Sequence, residues 1–229
     1  MNDLAATRQR PLSPTQPIYA INSWLVFAGI CFIYLFFNWY LQTSVLTNEV
    51  YYNSLAGRIS TDKLAAFLAG QHRYSFISYL LVPFALLVKI SLVSFCLFTG
   101  ILLTARNLPF RTIFKIALFA ESAFTASTLL KLLLLAFSSN ISNLSQLEGF
   151  APLSLFSLIK AHSVPAWLAY PLQTIDIFQI AYFLMLAGGL RFFTKESFRN
   201  MFLLVLGSYG LGLLCFMIGF AFLTISLAP

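Results

Sequence analysis

Long apolar runs, separated by brief polar stretches, set the pattern of this chain. A helix that crosses a bilayer needs about 20 mostly apolar residues at roughly 1.5 Å rise each. Residues 21–41, 76–103, 110–137, 172–192 and 201–227 all reach that length. The first, INSWLVFAGICFIYLFFNWYL, carries Trp24, Trp39 and Tyr40 where interfacial aromatics belong. Spans two, three and five exceed the minimum, so they are expected to tilt, kink or protrude, and Pro83 lies within the second. The pattern predicts an all-α fold: a polytopic membrane helical bundle of five transmembrane helices forming one domain over residues 21–229.

Residues 1–20 precede it as a short, polar arm punctuated by Pro11, Pro14 and Pro17, which reads as disordered. The apolar run that follows is too long for the core of a cleaved signal, so it reads as a retained first span. Between spans one and two, Ser60 or Thr61 is placed to cap a helix with Leu64, Phe67 and Leu68 on one face. That pattern predicts a helix lying in the membrane interface. Between spans three and four, SSNISNLSQLEGF reads as a polar turn region. Pro152 then opens a short helix ending near Lys160, too short to span and therefore interfacial or re-entrant.

Charge gives the threading a direction. With the N-terminus inside, the inner elements hold Arg8, Arg10, Arg106, Arg111, Arg191, Lys195 and Arg199. The outer elements hold Arg58, Lys63, Arg73 and Lys160, partly offset by Glu49, Asp62 and Glu148. The basic excess on one side predicts N-in, C-out. The same bias accounts for the net charge of +7. Basic residues scattered at segment ends, rather than gathered in a solvated stripe, argue against nucleic acid as a partner.

Composition agrees with the apolar pattern: 59% of residues are hydrophobic, 17% aromatic and only 9% charged. Soluble domains carry about 25% charged residues, so this chain cannot cover a water-facing surface. Cys31, Cys96 and Cys215 all fall inside apolar runs, without CxxC or Cys/His spacing, and read as small hydrophobic residues.

Against this background, charges within the spans stand out. Lys115 and Lys131 lie toward opposite ends of span three, and Asp176 lies one turn from the outer start of span four. All three read as interfacial anchors, the lysines reaching headgroups along their own stems. Lys89 and Glu121 sit near the middles of spans two and three instead. A lone charge at the bilayer centre costs at least ~2.5–3.5 kcal/mol. Measured from the link TARNLP, the two differ in depth by about one helical turn, which a lysine stem covers. An interhelical ion pair is the cheapest solution; a water-containing polar cavity and two independently solvated residues are the alternatives. Ser91, Ser94, Ser122, Thr125, Ser127 and Thr128 supply nearby hydroxyls.

Span five offers Ser208-x-x-x-Gly212 beside Gly207, Gly210 and Gly219, and span four offers Ala187, Gly188 and Gly189. Small residues let helix backbones approach closely, within one chain or between two copies.

Catalytic signals are absent from the sequence. His72 and His162 both fall outside the spans, and HExxH, GxSxG and nucleotide-binding glycine loops do not occur. Glu121 and Asp176 have no catalytic motif around them that would make them an aspartyl-type pair. No enzyme activity, cofactor or metal is expected. Five spans do not divide into two inverted repeats, which weakens a transporter reading. Asn140-Ile-Ser142 and Asn143-Leu-Ser145 match the glycosylation tripeptide but lie too close to the membrane to be informative.

Two stretches in the second half, RTIFKIALFAESAFTASTLLKLLLL and PLQTIDIFQIAYFLMLAGGLRFFTKESFRNMFLLVLGSYG, resemble the Yip1-type family of five-span membrane proteins. The features are Phe110–Arg111 at the entry to span three and Asp176-Ile177-Phe178 at the start of span four. Gly188-Gly189-Leu190-Arg191 at its exit and the short turn from Lys195 to Arg199 complete them. The resemblance runs from about Phe76 to Leu223. It implies a cytoplasmic N-terminus, no active site and, for eukaryotic members, a part in vesicle traffic, membrane shaping and contact with small Rab GTPases through the N-terminal region. Here that region is short, basic and proline-rich, so the chain looks more like compact bacterial relatives.

The expectation is a non-enzymatic membrane organiser or accessory subunit in a bacterial inner membrane, with an ER or Golgi membrane as the alternative location. Its partners would be the lipid bilayer and a membrane protein or a second copy of itself. The alternative function is a small transporter or channel component with a polar site around Lys89 and Glu121.

Overall fold

The computed structural model describes residues 21–55, 60–104, 106–137, 143–159 and 164–227. The N-terminal arm, Arg58, Asn140, Ser142, Lys160 and His162 lie outside them. The described residues form α1 (Ser23–Tyr40), α2 (Asn48–Leu55), α3 (Thr61–Leu103), α4 (Phe110–Ala120) and α5 (Ser122–Phe137). They continue as α6 (Leu144–Glu148), α7 (Ala166–Thr174), α8 (Ile177–Thr194), α9 (Phe198–Val205) and α10 (Leu211–Leu227). No strand occurs among them. Five helical stretches are long and apolar enough to cross a membrane: Ser23–Val45, Phe76–Leu103, Phe110–Phe137, Ile177–Thr194 and Phe198–Leu227. The architecture is that of an integral membrane protein, and these stretches are spans one to five.

Span three is central. Its first half, α4, packs on spans one, two and four; its second half, α5, packs on spans one and four. The first half of span five packs against spans four and two. Ile90, Leu97 and Ile101 of span two, Ile113, Ile116 and Ala117 of span three, Leu186 and Leu190 of span four and Met201 and Val205 of span five fill the core. Leu, Phe and Ile side chains cover much of the outer surface, as lipid contact requires rather than water contact.

The two sides of the bundle differ. Short links join spans two to three and four to five, on the side where span one begins. Arg106 Nη2 and Glu196 Oε1, 3.3 Å apart, tie those two links together. The other side carries the long loops, and there three expectations change. The separate interfacial helix expected after Ser60 is the beginning of α3, which runs unbroken for 43 residues into span two. At 1.5 Å per residue it is about 65 Å long, twice the hydrocarbon thickness. The polar run from Gly70 to Tyr74 ends the apolar stretch, but no proline falls between Thr61 and Pro83 to end the helix. Leu64 and Leu68 do share a buried face, packed with Tyr51 of α2 and with Leu46 and Leu144 rather than facing lipid; Phe67 is exposed.

Second, the expected polar turn contains α6, whose first amide, Leu144 N–H, donates to Ser54 Oγ at 2.7 Å and so joins the two loops. The short helix expected after Pro152 is a single 3₁₀ turn, Leu155–Leu158. Third, the helix of span four begins at Ile177, because the chain breaks at Ile175 and Asp176. Ser154 and Asp176 form an antiparallel bridge there, with Leu155 N–H donating to Ile175 O at 3.0 Å. Asp176 is the N-cap of α8, its carboxylate accepting from Gln179 N–H at 2.6 Å.

Candidate functional site

Glu121 stands at the junction of α4 and α5, in the middle of span three. The helical ladder passes through it: its amide donates to Ala117 O at 3.1 Å and its carbonyl accepts from Thr125 N–H at 3.0 Å. Its position at the centre of the bundle leaves it 0% exposed. Lys89 projects from span two and places Nζ 2.6 Å from Glu121 Oε1, while its own side chain remains 41% exposed. The ammonium also lies over the Phe124 ring, 3.7 Å from its centroid. A cation on an aromatic face away from water gains up to about 2 kcal/mol. The two mid-span charges therefore neutralise each other within one chain, and an aromatic ring from the next turn of span three shields the cation.

Two further spans join the pair, through residues that charge counting overlooks. Tyr34 of span one donates its hydroxyl to Glu121 Oε1 at 3.4 Å. Tyr182 of span four lies fully buried with its ring 4.7 Å from that of Phe124 and 6.0 Å from Lys89 Nζ. Tyr209 of span five stacks edge-on to Tyr182 at 5.5 Å, and its hydroxyl accepts from Gln179 Nε2 at 3.1 Å. Two buried oxygens in this cluster have no hydrogen-bond partner among the described residues, Glu121 Oε2 and Tyr182 Oη. Buried polar atoms are rarely left unpaired, so each calls for an explanation.

Four of the six hydroxyls named from the sequence are engaged within their own helices rather than with the carboxylate. Ser94, Ser122, Thr125 and Thr128 donate to carbonyls of their own helices, Ile90, Phe119, Glu121 and Phe124 respectively. The hydroxyls of Thr125 and Thr128 nonetheless lie beside Tyr34 Oη.

On one face of span one, polar side chains recur every four residues, at Tyr34, Asn38 and Gln42. Four residues make slightly more than one helical turn, so these lie above one another, rising toward the long-loop side. Gln42 Nε2 donates to Ser78 Oγ at 2.7 Å and to Asn38 Oδ1 at 3.3 Å, and Asn38 Nδ2 donates to Ser78 Oγ at 3.4 Å. The repeat was legible in FIYLFFNWYLQ, yet neutral residues raise no alarm when a membrane segment is scanned for charge.

The small residues divide. A Cβ at Gly100 would lie 2.8 Å from Ser208 Cβ, and one at Gly212 would lie 3.1 Å from Cys96 Sγ. Ser208 and Gly212 thus press span five against Cys96 and Gly100 of span two, inside the monomer. Gly189 is buried, whereas a Cβ at Gly188 would meet nothing within 4 Å, so Gly188 makes no close helix contact among the described residues. Lys115 and Lys131 are half-buried toward the ends of span three, and Asp176, as the cap of α8, is not brought to Glu121. Cys31, Cys96 and Cys215 are free thiols.

Comparison of the chain with protein-family models, with curated proteins and with solved structures finds no match. A role for the cluster therefore rests on its geometry.

Proposed function

We propose that the protein is a non-catalytic membrane organiser or accessory subunit of Yip1-like type, oriented N-in and C-out, in a bacterial inner membrane. One observation carries the reading: the mid-span charges close on each other within the monomer, with Glu121 fully buried and Lys89 2.6 Å away. Such an arrangement fixes spans two and three to one another and neutralises the partly exposed Lys89 within the membrane. The five spans support the same reading. The partner would be another membrane protein or a second copy, meeting the chain through lipid-facing helices.

Purification in mild detergent from the native membrane tests it. A stoichiometric membrane-protein partner, or a defined homo-oligomer, is the expected result; a lone monomer with solute flux would overturn it.

One specific observation favours a second reading, a small transporter or channel component. The unpaired Glu121 Oε2 and Tyr182 Oη mark mid-depth polar capacity that a structural pair does not use. Flux of ions or small solutes into vesicles holding the purified protein, lost on Glu121→Gln, would establish that reading in place of the first.

A further inference from the structure

The surroundings of Glu121 are polar in one direction and apolar in the other. Toward the long-loop side lie Tyr34, then Asn38, then Gln42 with Ser78, on the facing surfaces of spans one and two. Gln42 is three residues from the end of span one at Val45, and Ser78 is two residues inside span two, which begins at Phe76. The series from residue 34 to residue 42 therefore covers roughly 12 Å of helix, most of the way from mid-span to the surface. Thr125 and Thr128 of span three border its deep end. Toward the short-turn side, Leu97, Ile101, Ile113, Ile116, Leu190 and Met201 are all buried in continuous apolar contact. Water has a series of polar partners along the first route; along the second, Ser94 is buried among the apolar side chains, its hydroxyl already donating to Ile90 O of its own helix.

We infer that the Lys89–Glu121 pair is a proton-accepting site reached from the long-loop side alone, through the Tyr34–Asn38–Gln42–Ser78 series. The orphaned oxygens supply the second, independent sign: Glu121 Oε2 is buried with no donor among the described residues, and so is the hydroxyl of Tyr182, whose ring packs on Phe124 and lies 6.0 Å from Lys89 Nζ. A hydronium ion arriving by this route gives one proton to Oε2 and leaves as water. Glu121 becomes a neutral acid, Lys89 keeps its charge, and the pair changes from net zero to +1. Coulombic attraction across the 2.6 Å contact is then lost, so proton uptake loosens the link between spans two and three. The titratable groups around Glu121 are Lys89 from span two and Tyr34 from span one, both in contact with it, and Tyr182 from span four, whose ring lies 6.0 Å from Lys89 Nζ. Tyr209 of span five stands behind Tyr182. Lys89 is the only one of these that carries a positive charge, so it sets the field the arriving proton meets. One-sided access to the pair is compatible with an accessory subunit and with a transporter alike.

Infrared difference spectroscopy on the full-length protein, reconstituted with uniform orientation, reads the site directly. The carboxylic-acid band of Glu121 is assigned by its disappearance in Glu121→Gln. A pH jump on the long-loop side is expected to change that band, and an equal jump on the short-turn side to leave it unchanged. The Asn38→Leu, Gln42→Leu double variant keeps the pair intact and is expected to slow the response at least tenfold, with Tyr34→Phe slowing it less. A band that follows the short-turn side, that follows both sides equally, or that never responds would overturn the inference. So would an unchanged rate in the double variant, provided that thermal melting shows it folded.

Discussion

The energetic role of the pair is testable by removing its members one at a time, because their burial differs so sharply. Lys89→Met leaves the Glu121 carboxylate with 0% exposure and no cation. Breaking a buried ion pair from one side costs about 3–5 kcal/mol, most of it the penalty of an uncompensated buried charge. Glu121→Gln behaves differently. The amide oxygen can still accept from Tyr34, and the Lys89 side chain, 41% exposed, retains the face of Phe124 and freedom to move outward. The expected loss is about 1–3 kcal/mol, that of one hydrogen-bonded charge contact. Combining K89M with E121Q removes both charges, so the double variant is expected to recover at least about 1 kcal/mol relative to the sum of the singles.

Equilibrium unfolding in mixed micelles, followed by the fluorescence of Trp24, Trp39 and Trp167, measures all four proteins. None of the three tryptophans belongs to the cluster, so the signal reports the bundle rather than the local site. Additivity within about 0.5 kcal/mol would refute the interaction. A larger loss for Glu121→Gln than for Lys89→Met would refute the argument from unequal burial, even if the two residues proved coupled.

Three other outcomes follow from the packing. Gly100→Ala is expected to destabilise the bundle by about 1–3 kcal/mol, since its Cβ would sit 2.8 Å from Ser208 Cβ; adding Ser208→Gly should recover most of that loss, whereas Gly188→Ala, with nothing within 4 Å, should be neutral or mildly stabilising in the same unfolding assay. Leu64→Ala, at a position 2% exposed, is expected to cost about 2–5 kcal/mol, but locally: hydrogen exchange should rise in α2 and α6 while spans three and four stay protected. Asp176→Ala removes the cap on α8 and should cost about 0.5–2 kcal/mol, with Asp176→Asn close to the wild type in thermal melting.

How much of this was legible follows from the physics each part depends on. The spans were, because a bilayer demands a long apolar run whatever the run packs against, and Ser208 with Gly212 fell on the packed face that their spacing suggested. Lys89 and Glu121 could be paired by depth because antiparallel helices joined by a short link share a register. The long-loop side was read less well. Leu64 and Leu68 have an amphipathic spacing that fits a membrane surface and a small protein cluster equally, and only the fold puts Tyr51 and Leu144 opposite them. Likewise Gly188 and Gly189 are adjacent in sequence, so a count of small residues treats them alike. A helix turns about 100° per residue, and that rotation buries one and leaves the other open. Tyr34 and Tyr182 were missed because a phenol in an apolar span looks like packing until a carboxylate is found beside it.

Stability alone does not account for the pair. Replacing a buried ion pair with well-packed apolar groups is often neutral or stabilising, so its presence is weak evidence that the fold needs it. A pure clasp would also be most stable with every polar atom satisfied, yet Glu121 Oε2 and Tyr182 Oη are not. Nor would a clasp require Asn38, Gln42 and Ser78, whose side chains hydrogen-bond to one another within the membrane. Apolar residues at those three positions would pack spans one and two without such pairing. What joins these features is position: Glu121 Oε2 lies at mid-depth, the polar series leads from Glu121 toward one surface, and the core on the other side is built mainly of apolar side chains. A group that must stay buried and still exchange with water on one side requires that combination.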